Sequence, residues 1–325
     1  MTRIKSTRIF RKIINIVRNL MFRMVFLVFS LFFPTTSYCQ ETSSKSIYIA
    51  GSGNTALDQH MSSLLQDRLG NDFNLVMLPE DREAMITDTP IVSIGPSAFS
   101  RVRQANRSVP ILAMFVEKDL IDGFAARAPG QISGVFYNVP LLRQALTGKS
   151  ILPNATKVAL LATTESVELY EPLLDALPAY GMTARVFVVD NSNDLIPTLV
   201  RALRYGDFVL AAPDDTIYNP RTIKHILLTA YRHNRFVIGP SQAYVRAGSL
   251  ASSYAPFSVM VSQASRFLKE YFASGQLPPP AYPDIYRVKI NRQVARSMNI
   301  PLPEGKNISD EVDHALGKKS GVDVD

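Results

Sequence analysis

Short apolar runs alternate with amphipathic stretches of helical length along most of this chain. From Ser46 the runs are "SIYIA" (46–50), "FNLVML" (73–78), "PIVSIG" (90–95) and "VPILAMFV" (109–116). Helical patterns lie between them, over 56–69 and about 98–105. A second series comes later: "KVALLAT" (157–163), "ARVFVVD" (184–190), "DFVLAAPD" (207–214) and "RFVIGPS" (235–241). Its helices are expected near 165–180, 194–204 and 220–233. Strands separated by helices of ten or more residues predict βαβ units and parallel sheets. The runs are almost continuously apolar, as strands are when helices cover both sheet faces. The pattern therefore predicts an α/β protein with two similar Rossmann-like lobes of about four strands each. "GQISGVFYNVPLLRQAL" (130–146) reads as an irregular, Gly- and Pro-punctuated link carrying the first crossing between lobes. Later, "GSLASSYAPF" (248–257) reads as a last strand and "VMVSQASRFLKEYFASG" (259–275) as a helix capped by Gly275. A Pro-rich linker, a strand at about 285–290 and a short helix complete the pattern. The tail after Pro303 is polar and expected to be ordered only in part.

Before Ser46 the pattern changes. Residues 1–39 hold seven basic residues and no acid, and end on the apolar "MVFLVFSLFF" (24–33) and "PTTSYC". Ten apolar residues are too few to span a bilayer, which takes ~20. A basic start, a short apolar stretch and small residues at Ser37 and Cys39 predict a signal peptide cleaved after Cys39. Lipidation of Cys39 and an uncleaved anchor are the alternatives, and Met21 would make a leader of more ordinary length than Met1. The leader also accounts for the net charge of +7: without its seven cations, 28 basic residues face 28 acidic ones. A nucleic-acid binder carries its excess charge on the folded domain, so that class loses its support. With Cys39 removed, the exported chain has no thiol chemistry.

Candidate catalytic motifs are incomplete. Gly51-Ser52-Gly53-Asn54 comes after the first strand, yet Ala56 stands where a dinucleotide fingerprint has its third glycine. Ile-Gly-Pro-Ser occurs twice, at 94–97 and 238–241, each time without the closing glycine of a nucleophile elbow. The four histidines (His60, His225, His233, His314) lie in helical or tail contexts rather than in triad loops, and they offer no transition-metal set. "APDDT" (212–216) is a single acidic pair. No catalytic residue, metal or cofactor is assigned. The strand ends instead collect small hydroxyl and amide side chains with aromatics close by, a mixture that hydrogen-bonds and stacks on a small solute.

Several segments in order resemble a known family. "VPILAMFV", "PGQISGVFYNVP", "LPNATKVALLAT", "FVLAAPDDT", "RFVIGPSQAYVRAGSLASSYAP" and "YRVKINRQVARSMNIPLP" are similar to segments of the tryptophan/tyrosine-type substrate-binding proteins of ABC transporters. Those have the type I periplasmic-binding fold. The match covers about residues 109–303, most closely 130–256 and 283–303, and "TALDQHMSSLLQDRLG" is similar to the family's first helix. The resemblance implies two lobes joined by hinge crossings: 40–137 with about 257–282, and 138–256 with about 283–303, leaving 304–325 as the tail. It implies a periplasmic protein that closes over a small organic solute, amino-acid-like compounds included, and presents it to a membrane permease. A sensor or docking protein feeding a membrane receptor is the alternative on the same scaffold. Matched by motif, the ligand contacts fall on Ser97, Thr164, Asp214, Thr216, Ser241 and Gln242, and less firmly on Ser52, Asn54 and Tyr244. The chain departs from the family between 79 and 89, where eleven residues replace a crossover helix, and in its strand-end prolines 96, 213 and 240.

Overall fold

The computed structural model describes residues 45–212, 214–302 and 305–317. The leader with Cys39, and Pro213, lie outside them.

Two sheets organise the chain. The first is fully parallel, with strand order β2-β1-β3-β4-β5: β1 (Lys45–Ala50), β2 (Phe73–Met77), β3 (Ile91–Ile94), β4 (Ile111–Val116) and β5 (Ile132–Phe136). The second has the order β11-β10-β9-β8-β6-β7: β6 (Lys157–Ala162), β7 (Thr183–Val188), β8 (Phe208–Leu210), β9 (Phe236–Ile238), β10 (Ala251–Tyr254) and β11 (Arg287–Ile290). Among these strands only β11 runs antiparallel, against β10. The expected α/β class with two parallel-sheet halves is the observed one. Each sheet is buried on both faces, as its apolar strands require. Ile47, Ile49, Val92, Ile94, Leu112 and Met114 pack into one core, while Ala50, Ile91, Ile111 and Ala113 point into another on the opposite face.

The helices are α1 (Thr55–Leu69), α2 (Pro96–Ala105), α3 (Lys118–Arg127), α4 (Leu141–Ile151), α5 (Glu171–Ala176), α6 (Leu195–Tyr205), α7 (Ile223–Arg232), α8 (Gln242–Ala247), α9 (Phe257–Ser274), α10 (Arg292–Ser297) and α11 (Gly305–Ala315). The chain crosses between sheets three times: between β5 and α4, between β10 and α9, and between α9 and β11. Helix α9 returns to the first sheet, burying Met260, Val261, Ala264, Phe267 and Leu268. Its end at Gly275, φ 78°, is the left-handed cap that the sequence signals.

Four local differences from the sequence pattern have identifiable causes. Residues 130–146 hold regular structure, β5 and the start of α4, because the crossing itself occupies only the few residues around Asn138. Helix α3 has no counterpart in the expected pattern. Residues 165–180 form a broken helix, a 3-10 turn (Val167–Tyr170), α5 and a second 3-10 turn (Leu177–Tyr180), with Pro172 and Pro178 resetting the hydrogen bonding. Beyond Pro303, α11 buries Ile308 and Val312 in the second sheet's core. The salt bridge from the buried Arg143 of α4 to Asp313 and the hydrogen bond from Ser150 to Glu311 fasten it there.

The shortened β2–β3 crossover is a 3-10 helix, Glu80–Met85. Its fully buried Glu83 pairs with Arg101 of α2 at 2.9 Å. Arg101 also reaches Glu80 at 3.2 Å and the Gly51 carbonyl at 3.2 Å. Asn106 donates to the Ile86 carbonyl at 2.6 Å. One arginine and one asparagine thus do for this crossover what packing does for a full helix.

Candidate ligand-binding cleft

In parallel α/β sheets the carboxyl ends of the strands form the ligand-facing edge, where loops run into helix N-termini. In the first sheet those ends are Gly51–Asn54, Gly95–Ser97, Glu117 and Tyr137. In the second they are Thr163–Thr164, Asp214–Thr216, Ser241 and Tyr254.

Several of the residues expected to touch ligand serve their own turns. Ser52 donates its N–H (2.9 Å) and its hydroxyl (2.7 Å) to Asp58 Oδ1. A side chain at Gly51 would meet the same carboxylate, at 2.6 Å from Oδ2. Asn54 is the N-cap of α1, accepting from the Leu57 N–H. Asp214 is fully engaged: Oδ1 accepts from the Thr216 and Ile217 N–H groups, and Oδ2 accepts from the Ser166 hydroxyl at 2.8 Å. That bond ties the loop after β6 to the loop after β8. Thr164 lies 3.5 Å from Asp190. The Tyr244 hydroxyl donates to the Tyr218 carbonyl. Ser97, Ser241 and Gln242 form no side-chain hydrogen bond among the described residues, and no hydrogen bond joins Ser97 to Ser241.

The repeated Ile-Gly-Pro-Ser has two different structures. Both glycines take positive φ, 87° at Gly95 and 85° at Gly239, which favours glycine. In the first copy Pro96 opens α2, so Ser97 lies inside the helix; in the second Ser241 is the N-cap and Gln242 opens α8. Gln144 of α4 holds the second copy: its Nε2 donates to the Pro240 carbonyl (3.2 Å), Ser252 Oγ (3.1 Å) and the Ser253 carbonyl (2.8 Å), while Oε1 accepts from the Ser253 N–H (2.9 Å).

Two residues outside the expected set join the sheets electrostatically. The Tyr137 hydroxyl, after β5, donates to Glu117, after β4, at 2.8 Å. Burial pushes the Glu117 carboxyl above its ordinary range; the Tyr137 bond opposes this, and the charges of Asp215 and Asp119 add to it. Burial likewise raises the Tyr137 hydroxyl, followed by Glu117, Asp215 and Tyr244. Tyr244 is raised by burial and then by Asp215. Asp215 and Tyr244 belong to the second sheet's loops, so the strand ends of the two sheets lie within each other's field. Nearby, Phe115 holds a positive φ of 57° and meets Phe257 edge-on at 5.1 Å, and Phe257 is 45% exposed. A non-glycine residue in that region is strained, and such strain concentrates at ligand sites. The signal for Glu117 was its place as the first acid after an apolar strand; Tyr137 was hidden in the supposed link.

No family model and no curated protein sequence matches the chain. Solved structures do match. The ligand-free, open form of a substrate-binding protein with adhesive properties from Clostridium difficile aligns with a TM-score of 0.64 at 16% identity. The alignment covers 82% of this chain and 98% of that one. The type I periplasmic-binding fold is the fold of this chain. A conserved domain protein from Vibrio cholerae matches at TM-score 0.56 and 17% identity, covering 85% and 98% of the two chains. An ABC domain in complex with L-Trp from Streptococcus pneumoniae matches at 0.54 and 15%, covering 80% and 95%. Glu117 and Tyr137 stand at the strand ends of the first sheet, and Asp215 and Tyr244 on loops that follow strands of the second.

Proposed function

We propose that this protein is an exported solute-binding protein, delivered by its leader to the periplasm, whose two lobes close over a small organic ligand. The ligand is then presented to an ABC-type permease. The observation that carries the reading is the pair of parallel sheets whose strand ends bear polar and aromatic side chains, with Asp215 of the second sheet acting on Glu117 and Tyr137 of the first. Groups that already interact across a cleft are placed to grip a third body between them. The reading is supported by the fold shared with substrate-binding proteins, one of them bound to L-Trp.

The grip selects a ligand carrying a protonated amine. Among the described residues no cation forms an ion pair with Glu117, and the groups that shift Glu117, Tyr137 and Tyr244 are acids and phenols. An ammonium group fills that role, and the exposed rings of Tyr137 and Phe257 offer faces for an attached apolar body. Ser97, Ser241, Gln242 and Thr216 keep hydrogen-bonding capacity for the ligand's remaining polar atoms. Asp214, Ser52 and Asn54 shape the loops, and Thr164 lies at the rim beside Asp190. No residue is assigned a catalytic role.

The test is a thermal-shift screen with amino acids, amines, nucleosides and carboxylates. A true ligand at 100 times its Kd stabilises the fold by about 2.7 kcal/mol. Stabilisation by amine-bearing compounds is expected; silence across all four classes would overturn the reading.

A further inference from the structure

The second sheet ends at β7, whose outer edge is unpaired among the described residues. Thr183 donates its N–H to the Thr156 carbonyl and Val189 donates to Ala162, both at 2.8 Å. In a parallel ladder, alternate residues turn both backbone groups to the same neighbour. Thr183, Arg185 and Phe187 therefore turn theirs inward to β6, and Ala184, Val186 and Val188 turn theirs outward.

Beside this edge is a hollow of about 690 Å³ lined by Arg185, Phe187, Asp190, Arg201, Arg204 and Tyr205. Its character is cationic and aromatic. The Arg185 guanidinium lies 5.6 Å from the centre of the Phe187 ring and 5.8 Å from that of Tyr205, and Lys157 is 5.7 Å from the Tyr205 ring. Among the described residues none of Lys157, Arg185, Arg201 and Arg204 forms an ion pair. Three arginines thus line the hollow with a single acid, Asp190. The hollow stands on other elements than the cleft cluster, α6 and β7, and reaches toward Thr164 only through Asp190, 3.5 Å away.

We propose that β7 is a docking edge for an extended, acidic segment of a partner protein. The segment would add as a further strand, pairing its backbone with Ala184, Val186 and Val188 and placing alternate Asp or Glu side chains against Arg185, Arg201 and Arg204. The two observations support each other: strand addition brings every second side chain to one face, and that face is the cationic one. Charge also decides between occupants. A second copy pairing through β7 would set Arg185 and its neighbours against their own kind, which like-charge pairing disfavours. Arginine at an edge ordinarily wards off other strands. An acidic strand is the one kind such a guard admits.

The probe is a fluorescent octapeptide alternating Asp and Val, titrated into the protein and read by anisotropy. Saturable binding is expected, weakened at least tenfold by Arg185→Glu or Arg204→Glu. Both side chains are exposed, so the fold is expected to tolerate the changes, which a thermal melt of each variant checks. Binding is also expected to be lost with a peptide N-methylated at alternate residues, which keeps its charge but not its strand hydrogen bonds. Two peptide results overturn the proposal: no saturation at millimolar protein, or equal binding of the N-methylated peptide. The second would leave a charged surface without strand addition. A stable dimer whose formation blocks the peptide would overturn it in favour of a second copy.

Discussion

At the scale of residues, Glu117 is the group on which the proposed grip on an amine depends. Its carboxyl titrates higher in the folded chain than in the unfolded one, so the fold prefers it protonated. The stability it lends the empty protein is full below the ordinary carboxylate range and is lost as pH rises through the elevated value. Ligand binding has the opposite slope, since an ammonium needs the ionised form. Glu117→Gln is expected to flatten the first slope in pH-dependent melts. It should also weaken an amine ligand by roughly 1.5–3 kcal/mol, the usual worth of a charge-assisted hydrogen bond, in calorimetric titration. Gly239 is a structural counterpart. At φ 85°, with the Ala211 carbonyl 2.9 Å from any added Cβ, Gly239→Ala should cost about 1–3 kcal/mol in denaturant unfolding. Both copies of Ile-Gly-Pro-Ser share the positive-φ glycine but not the place of the serine. The same four letters place one serine inside a helix and the other on its cap, because the helix starts one residue before Ser97 and one residue after Ser241.

At the scale of elements, most strands and helices were legible because burial on two faces writes itself as unbroken apolar runs. The elements that escaped were written in smaller signs. Helix α3 begins with Lys118 and Asp119 and includes Gly123, a composition that advertises surface more than helix. β5 is only "ISGVF", with a glycine at its centre, where a side chain would press on the Ala113 carbonyl and Ile121 at 3.4 Å. Helix α11 depended on a partner distant in sequence: Arg143, buried on α4, for Asp313. Removing one member of a buried ion pair strands the other. Asp313→Ala should therefore cost about 3–5 kcal/mol in thermal or chemical melts, while replacing both Arg143 and Asp313 by apolar residues should cost far less. Elsewhere in the second lobe, Asn291 caps α10 by accepting from the Gln293 and Val294 N–H groups at 3.1 Å. Asn291→Ala is expected to lose about 1 kcal/mol.

At the scale of the whole molecule, closure is the behaviour to measure. A ligand that binds only the closed arrangement shifts the population by its preference for it, so small-angle scattering should report compaction with an amine ligand and none with a silent solute. Much of the bilobal plan was visible in the order of strands. The influence of Asp215 on Glu117 was not, since nothing local in either sequence segment names a partner in the other sheet. Helix α4 offers a way to follow the motion. One turn of it carries Arg143, which seats α11, Gln144, which clasps the Pro240 loop, and Thr147, whose hydroxyl lies 2.7 Å from that of Ser253. The carboxyl-terminal helix and the Ser241 loop therefore ride on a common axle. A dye placed on α11 and another on α3 would report the opening and shutting of the cleft from outside it, leaving the ligand's own contacts untouched.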